Sequence, residues 1–318
     1  RLLNLHCGKS GVDGLSDTEQ TDFAGLFIVG SSGALLKASR FCHPMKSNIT
    51  GLHSELGSII APSVVEGATQ NIHFNLVGQQ ANSLLHDGHA WKDFPQRALA
   101  GARRAVREAQ VGEASMLVHA SFAFVHAFER QVRPKEPLRE SVQAILACEE
   151  LVLRGPLPAC VVRLGYLYGP DSADLRAYRR AFRLGRPYWS GQPRAPQYHL
   201  HQADAVTALL LAATPSNAGK TFYATDGMPV SFTRMMDAFA QRVGRASPMH
   251  LPLWLRPLAH VFIREEHMQQ TALAMPPGAP SPRVPGWKPR FADCRLGLDD
   301  IVASWDDMGA QRVRQKAR

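Results

Sequence analysis

A short glycine-rich segment near the start of the chain has the residue types that bind phosphate. Residues 30–33 read Gly-Ser-Ser-Gly and follow the apolar run 26–29, so the sequence predicts a buried strand, a tight turn and a helix over 34–41. In dinucleotide folds such a turn lets a pyrophosphate approach backbone N–H groups at the helix N-terminus. The third glycine of that pattern is replaced by Leu36. The alternative is an ordinary glycine-containing turn.

A second apolar run ends in glycine at 74–78 and predicts another strand end. Too few residues separate Gly33 from Asn75 to hold a helix, a strand, a second helix and a third strand. The segment is therefore expected to lack the second strand and the loop after it, which normally contacts the ribose 2′ position of the nucleotide. Only Lys37 and Arg40 are nearby cations. The residues predicted to contact a nucleotide are Gly30, Ser31, Ser32, Gly33, Ala34, Leu35, Leu76, Val77 and Gly78.

Tyrosine is the next residue type that could carry chemistry, and the first of the six tyrosines is Tyr166. A tyrosine and a lysine four residues apart share one helix face, and the ammonium lowers a phenol pKa that is otherwise about 10. The phenol then exchanges protons near neutrality. No tyrosine here is followed by a lysine four residues later. The sequence therefore lacks this proton carrier.

Other chemical patterns are weak. His199 and His201 flank Leu200 and share one side of a strand, but no third ligand is suitably spaced, so we expect no metal site. Asp204 fits a structural role at a helix start better than a catalytic one. The five scattered cysteines form no C-x-x-C pair, which favours reduced thiols.

The elements that must position these residues alternate between strand and helix. Strands are predicted at 116–120 and 159–164, and helices at 94–109, 141–153, 203–213 and 231–243. With 318 residues, 45% of them apolar, the chain is long enough to bury a large core. The alternation predicts an α/β fold whose parallel sheet is covered on both faces. The net charge of +9 favours an acidic neighbour or a generally basic protein.

Six segments resemble, in order, the extended short-chain dehydrogenase/reductase family, which includes nucleotide-sugar epimerases. They are MLVHASFAFVHA (116–127), ACEELVLRG (147–155), VVRLGYLYGP (161–170), YHLHQADAVTALLLAA (198–213), GKTFYATDGMPVSFTRMMDAF (219–239) and GWKPRF (286–291). The resemblance implies a Rossmann-like doubly wound parallel sheet with a smaller C-terminal α/β lobe. The implied division is an extension at 1–25, a nucleotide-binding domain at 26–169 and 199–221, the lobe at 170–198 and 222–305, and a basic tail at 306–318.

The resemblance also implies where the catalytic groups would stand. The family's Tyr and Lys positions fall on Ser141 and Ile145, and its strand-end hydroxyl falls on Phe122, with Ser121 one residue earlier. All three roles are therefore expected to be empty, so the chain is predicted not to be an enzyme. An active NAD(P)-dependent epimerase or reductase with replaced catalytic groups is the alternative, and an RNA-binding scaffold of the same fold is a third hypothesis.

Three shorter segments resemble one non-catalytic branch of the family, the nucleotide-binding accessory subunits of mitochondrial respiratory complex I. They are HCGKSGVDG (6–14), FNLVG (74–78) and LPLWLRPLAHVF (251–262). This resemblance implies a structural NADP(H) or NAD(H), subunits of a membrane-associated complex as partners, and a place on the matrix side of the inner membrane. Contact with anionic lipid is also expected, and no specific nucleic acid. The apolar stripe of 254–262 favours core packing or such a contact.

Overall fold

The structure is a computed structural model. It describes residues 26–29, 35–38, 58–65, 68–85, 89–130, 133, 135–189, 191–245, 248–251, 253–255, 258, 263–276 and 280–316. None of the helices within these ranges is both long enough and apolar enough to cross a membrane.

A five-stranded sheet forms the centre of the molecule. Its strands are β3 (Ser58–Val65), β4 (Ala68–Asn75), β5 (Met116–Phe122), β6 (Ala159–Leu164) and β10 (Thr221–Ala224). They lie in the order β10-β6-β5-β4-β3, and every pair is parallel except β3–β4, which is an antiparallel hairpin. The buried apolar runs of β5 and β6 are typical of parallel strands covered on both faces.

Helices cover both faces of this sheet. The helices around it are α1 (Phe94–Val111), α2 (Val125–Arg130), α3 (Leu138–Leu153) and α5 (Gln202–Ala212). On one face Leu117 packs with Ala109 of α1 and Val152 of α3. On the other face Val118 and its neighbours pack against the small residues of α5. The predicted Rossmann-like α/β architecture is therefore confirmed. The sequence pattern lacked a second strand before β4, and in the structure β3, the antiparallel partner of β4, forms the edge of the sheet.

A smaller lobe follows the third parallel strand. Its helices are α4 (Ala173–Arg183), α6 (Phe232–Arg242), α7 (Glu265–Ala272) and α8 (Cys294–Lys316). Its short strands are β7 (Tyr166–Tyr168), β8 (Tyr188–Trp189), β9 (His199–His201) and β11 (His250–Leu251), which pair as β7–β9 and β8–β11. Aromatic side chains from α4, β8 and α6 fill its core. The residues predicted as a tail from 306 onward continue α8 as far as Lys316.

The glycine-rich turn does not precede a helix. β1 (Leu26–Val29) pairs antiparallel with β2 (Leu35–Ala38) in a separate two-stranded sheet, so the helix predicted over 34–41 is wrong. Two short apolar runs separated by glycine and serine are also typical of a β-hairpin, and the two runs form a hairpin here. Residues 30–34 themselves lie outside the described residues.

Candidate functional site

The carboxyl ends of β4, β5 and β6 meet at one edge of the sheet, where open parallel sheets usually bind ligands. The segment after β4 crosses this edge and is fixed to it by two amide side chains. Nε2 of Gln79 donates to the carbonyl oxygens of Ala120 and Ser121 at 3.0 and 3.3 Å. Nδ2 of Asn82 donates to the carbonyl oxygens that end β6, at 3.3 and 3.2 Å. The edge is therefore rigidly built.

Aromatic rings line this edge. Phe122, at the family's hydroxyl position, lies 5.7 Å from the ring of Phe94 and 5.6 Å from that of Phe124, measured between centroids. Trp91 contacts Phe94 at 4.7 Å, and Tyr166 stacks on Phe124 at 5.8 Å with the planes 4° apart. These rings are buried and pack against one another, mostly tilted or edge-on, as an aromatic cluster where the family places a polar strand end.

Two polar atoms beside this aromatic cluster have no hydrogen-bond partner among the described residues. They are the hydroxyl of Tyr166 and Oδ1 of Asn82, and both residues are buried. Burial raises the pKa of Tyr166 above its ordinary value, so the phenol stays protonated. An unmade buried hydrogen bond costs about 1–3 kcal/mol. Each such group calls for an explanation, such as a bound ligand or an ordered water, and the described residues hold others, among them the Tyr168 hydroxyl and the Asp226 carboxyl.

Beneath this edge, three strands place polar residues in register on one face. Ser121, Arg163 and Tyr223 are neighbours across β5, β6 and β10. The guanidinium of Arg163 makes two hydrogen bonds to the Glu149 carboxylate, from Nε at 2.9 Å and Nη2 at 2.7 Å. The Ser121 hydroxyl donates to the same carboxylate. Helix α3 is thereby fastened to the sheet by a fully buried ion pair.

The same guanidinium also reaches Tyr223 and Glu129. Nη1 of Arg163 donates to the phenol oxygen at 2.6 Å, and Nη2 lies 2.7 Å from the Glu129 carboxylate. Burial alone would lower the pKa of Arg163, but its hydrogen bonds to Glu149 and Glu129 raise the pKa well above the ordinary value. Burial favours a higher pKa for Glu129, but the hydrogen bond from Arg163 outweighs the effect of burial. The pKa of Glu129 is therefore lowered. Arg163 and Glu129 are thus both held in their charged states.

The structure places the predicted site residues unequally. Gly30, Ser31, Ser32, Gly33 and Ala34 lie outside the described residues, and Leu35 begins β2. Leu76, Val77 and Gly78 follow β4 directly and lie at the carboxyl edge, as expected of that strand end. Ser141 and Ile145 are both buried on α3. Whether any of these contacts a nucleotide stays a prediction.

Sequence reasoning missed Gln79, Asn82 and Tyr166 as site residues. The available signal was the position of two amide side chains directly after a glycine-ended strand, and of a tyrosine directly after β6. Gly78 has a φ of +88°, and a methyl group added there would lie 3.1 Å from the Phe94 ring. Only glycine therefore suits this turn without strain.

The fit to a nicotinamide dinucleotide is partial. The unpaired Tyr166 hydroxyl, beside the Phe124 ring, and the unpaired Asn82 oxygen suit a ligand that carries polar groups. A pyrophosphate needs a glycine turn that opens a helix, and β1 and β2 form a hairpin instead. The described residues thus offer hydrogen-bonding groups and no cradle for the phosphates.

The histidines and acids of the smaller lobe are structural. Burial lowers the pKa of both His199 and His201 to about 4, so both rings are neutral. Nδ1 of His201 accepts from the amide of Ala203 at the start of α5. Asp204 accepts from the amides of Arg290 and Phe291 at 2.8 and 2.9 Å, which confirms its structural role. Within the described ranges no three ligands gather that could hold a metal ion.

The three described cysteines are free thiols, as the sequence predicts. Cys148, Cys160 and Cys294 are all buried. Burial raises the pKa of Cys148 and of Cys160 to about 12, which keeps both thiols protonated and unreactive. Cys7 and Cys42 lie outside the described residues.

Asp226 gives a prediction about pH. It is completely buried, neither carboxyl oxygen makes a hydrogen bond of ordinary geometry, and burial raises its pKa well above the usual value. The His199 amide and Arg283 oppose this shift, and Asp293 and Asp204 add to it. The folded state keeps the proton longer than the unfolded state, so stability is full below the ordinary carboxyl pKa, about 3.9, and falls as pH rises towards the folded pKa.

We therefore expect Asp226→Asn to raise the free energy of unfolding at neutral pH and to leave it unchanged in acid. Each pH unit between the two pKa values costs the parent protein about 1.4 kcal/mol. Urea unfolding across the pH range measures this difference. Glu140→Gln, at an exposed position, is the control and should keep the parent's slope. Parallel curves for the parent and Asp226→Asn would contradict a protonated Asp226.

Comparisons with known proteins support the fold and identify one relative with a named activity. No protein-family model matches the sequence. A 3-diazoavenalumate denitrifying reductase from a Streptomyces species is 33% identical over 165 residues, which are 50% of this chain and 52% of the reductase. This chain therefore aligns with about half the length of that curated relative.

Two solved structures share the fold at low sequence identity. The human epimerase family protein SDR39U1 (isoform 2), with NADPH, is 15% identical with a TM-score of 0.54, over 72% of this chain and 81% of that one. The UDP-glucose 4-epimerase of Thermotoga maritima, with UDP-glucose, is 15% identical with a TM-score of 0.53, over 74% and 77%. This chain therefore shares the Rossmann-like α/β fold of these two proteins.

These findings overturn one prediction. The chain was predicted not to be an enzyme because Phe122, Ser141 and Ile145 occupy the positions of the family's catalytic hydroxyl, tyrosine and lysine. The curated relative is a named reductase, and the neighbours in fold are named epimerases, one with NADPH. The inference failed because it equated one tyrosine–lysine pair with all proton chemistry, although several side-chain types can transfer protons.

Proposed function

We propose that this chain belongs to a nicotinamide-dependent reductase built on the short-chain dehydrogenase/reductase fold. The observation that carries the proposal is the 33% identity to a named reductase over 165 residues. The carboxyl edge of the sheet supports it, because the Tyr166 hydroxyl and Asn82 Oδ1 are buried there without a hydrogen-bond partner among the described residues. Among the alternatives weighed for the sequence, an active reductase with replaced catalytic groups is favoured.

Tyr166 is the group that we assign to the proton. Reduction of a polar double bond adds a hydride and a proton, and a bound nicotinamide would supply the hydride. The Tyr166 phenol is protonated, unpaired and placed directly after β6, at the edge of the sheet. Asn82 presents its free oxygen to the same region, where it would orient a donor group of the substrate. Gln79 holds the segment in place.

The test is nucleotide binding followed by turnover. Calorimetry with NADPH and with NADH should show binding of one or both, and compounds with carbonyl or diazo groups should then be screened for nucleotide oxidation. Gly78→Val is the matched variant, since a side chain there is strained by φ and meets the Phe94 ring. We expect it to weaken binding at least tenfold. Absence of both binding and turnover in the parent protein would contradict the proposal.

The more specific interpretation stays a prediction. A structural role in mitochondrial complex I, the partner subunits and the matrix-side location rest on three short segments. One of them, at 6–14, lies outside the described residues, and another, at 251–262, is described only in part. Copurification of the native protein with respiratory subunits would support that role, and the turnover assay is independent of it.

A further inference from the structure

Two helices of the smaller lobe end in nearly the same sequence. Residues 183–186 read Arg-Leu-Gly-Arg at the end of α4, and residues 242–245 read Arg-Val-Gly-Arg at the end of α6. Both glycines have a positive φ, of +69° and +84°. The amides of Arg186 and Arg245 donate to helix carbonyls five residues earlier, at 2.9 and 2.7 Å. Each helix end is therefore a Schellman motif with an arginine as its last residue.

The two motifs meet in space. A methyl group added to Gly185 would lie 3.0 Å from Nη2 of Arg245, so the guanidinium that closes the second motif lies against the first. Arg183 and Arg186 flank Gly185 closely in the chain, and Arg180 lies one turn before Arg183 on the same face of α4. These four arginines are all exposed. We call Arg180, Arg183, Arg186 and Arg245 the arginine group.

The arginine group has no compensating carboxylate within the described part of the chain. None of its members takes part in an ion pair there, whereas their neighbours Arg179 and Arg242 are paired with Asp306 and Asp299. The sequence has no Asp or Glu over 175–203 or over 238–264. Like charges have therefore been brought together without a local counter-charge.

The helix ends neutralise only part of this charge. The C-terminus of a helix carries about −0.5 of an elementary charge, so the two ends together supply about −1. The arginine group carries one positive charge on each of its members, which leaves about three charges uncompensated. Cations that repel one another gain most from an anion that binds among them. The group thus suits a partner with several negative charges.

We infer that the arginine group binds the phosphate backbone of a nucleic-acid duplex, independently of base sequence. The planar guanidinium bonds phosphate oxygens in pairs. A duplex carries one negative charge per about 1.7 Å of its axis, so several phosphates come within reach of the group at once. The inference is independent of the proposed reductase activity.

Two other kinds of partner fit this surface less well. Single strands are bound by aromatic rings interleaved with basic residues, and neither motif contains an aromatic residue. A protein partner needs an apolar core at its interface, and Leu184 is the one large apolar residue that the two motifs expose. Contact with the phosphates of a duplex requires neither feature.

Fluorescence anisotropy with a labelled duplex of about 20 base pairs tests this inference. With four phosphate contacts, the logarithm of the association constant should fall against the logarithm of salt concentration with a slope of about −3.6. Affinity should then drop about a hundredfold between about 50 and 200 mM salt. A DNA and an RNA duplex are titrated separately to identify the preferred source of the backbone, and binding of either supports the inference.

A pair of substitutions at the motif ends locates the contact. Arg186→Gln with Arg245→Gln should make the salt slope shallower by about 2, one for each lost phosphate contact. The matched control is Arg103→Gln with Arg107→Gln on α1, two exposed arginines that also lack an ion pair among the described residues. The control removes the same net charge and should keep the slope of the parent. Circular dichroism of both variants confirms that the fold is retained.

A second pair in the same group, Arg180→Gln with Arg183→Gln, should change the slope by the same amount. Three outcomes would overturn the inference. The first is failure of the parent chain to bind either duplex. The second is an equal change of slope in the α1 control, which would indicate attraction to net charge alone. The third is tighter binding of a single strand of equal length, or of polyglutamate, which would assign the arginine group to another kind of partner.

Discussion

Replacing Arg163 with methionine should lower the free energy of unfolding by about 3–5 kcal/mol. The guanidinium is buried and hydrogen-bonded to Glu149, Glu129 and Tyr223. Its removal leaves the Glu149 carboxylate buried without its cation, and that uncompensated charge is the source of the cost. Urea unfolding followed by circular dichroism measures the change.

A surface arginine provides the matched control. Arg154, at the C-terminal end of the helix that carries Glu149, pairs with Glu150 at 2.8 Å. Both side chains of this pair are largely exposed. Exposed pairs contribute about 0–1 kcal/mol, so Arg154→Met should change stability little. Adding Glu149→Leu to Arg163→Met should restore part of the loss, because the buried carboxylate is then gone. Equal costs for Arg163→Met and Arg154→Met would show that the network is not a buried one.

The parallel core of the fold was predictable from sequence because its signals are local. β5 and β6 lie in largely apolar runs, β6 stops before Gly165, and the alanines at helical spacing in α1 are buried as a stripe. Such patterns depend only on the period of each element. The segments resembling a known family added the order of these elements, and the structure keeps that order.

The first strands were not predictable for a physical reason. Two short apolar runs around a glycine turn satisfy both a strand–helix pattern and a hairpin, and the local pattern does not decide between them. In this chain β1 pairs with β2, and β3 takes the edge beside β4. The antiparallel partner of β4 has no local signature in the sequence, since its register is set by its neighbour.

The site residues were missed for a different reason. The family pattern is a tyrosine with a lysine four residues later, and the residue four positions after Tyr166 is a proline. Its unpaired hydroxyl and its stacking on Phe124 arise from residues far apart in the chain. The Arg163 network joins residues from three strands and two helices in the same way. Contacts of this kind exist only once the sheet has formed.

Tyr166→Phe should separate a functional hydroxyl from a structural one. If Tyr166 supplies the proton, its loss should lower kcat by about 10²- to 10⁴-fold, while stability stays level or rises by up to about 2 kcal/mol because an unpaired buried hydroxyl is removed. Tyr168, two residues along β7, is the matched control. Its hydroxyl is also buried and unpaired, but it lies against Gly297 of α8, away from the aromatic edge.

Tyr168→Phe should therefore match Tyr166→Phe in stability and keep the parent's turnover. The two variants remove the same atom from the same strand, so a difference in kcat can come only from the surroundings of each hydroxyl. Burial raises the pKa of both phenols, so neither should lose its proton as pH rises towards 9, and the parent's rate should not fall there on their account. Equal turnover in both variants would exclude Tyr166 as the proton donor and favour the Tyr223 and His126 side chains, which contact each other at 3.2 Å.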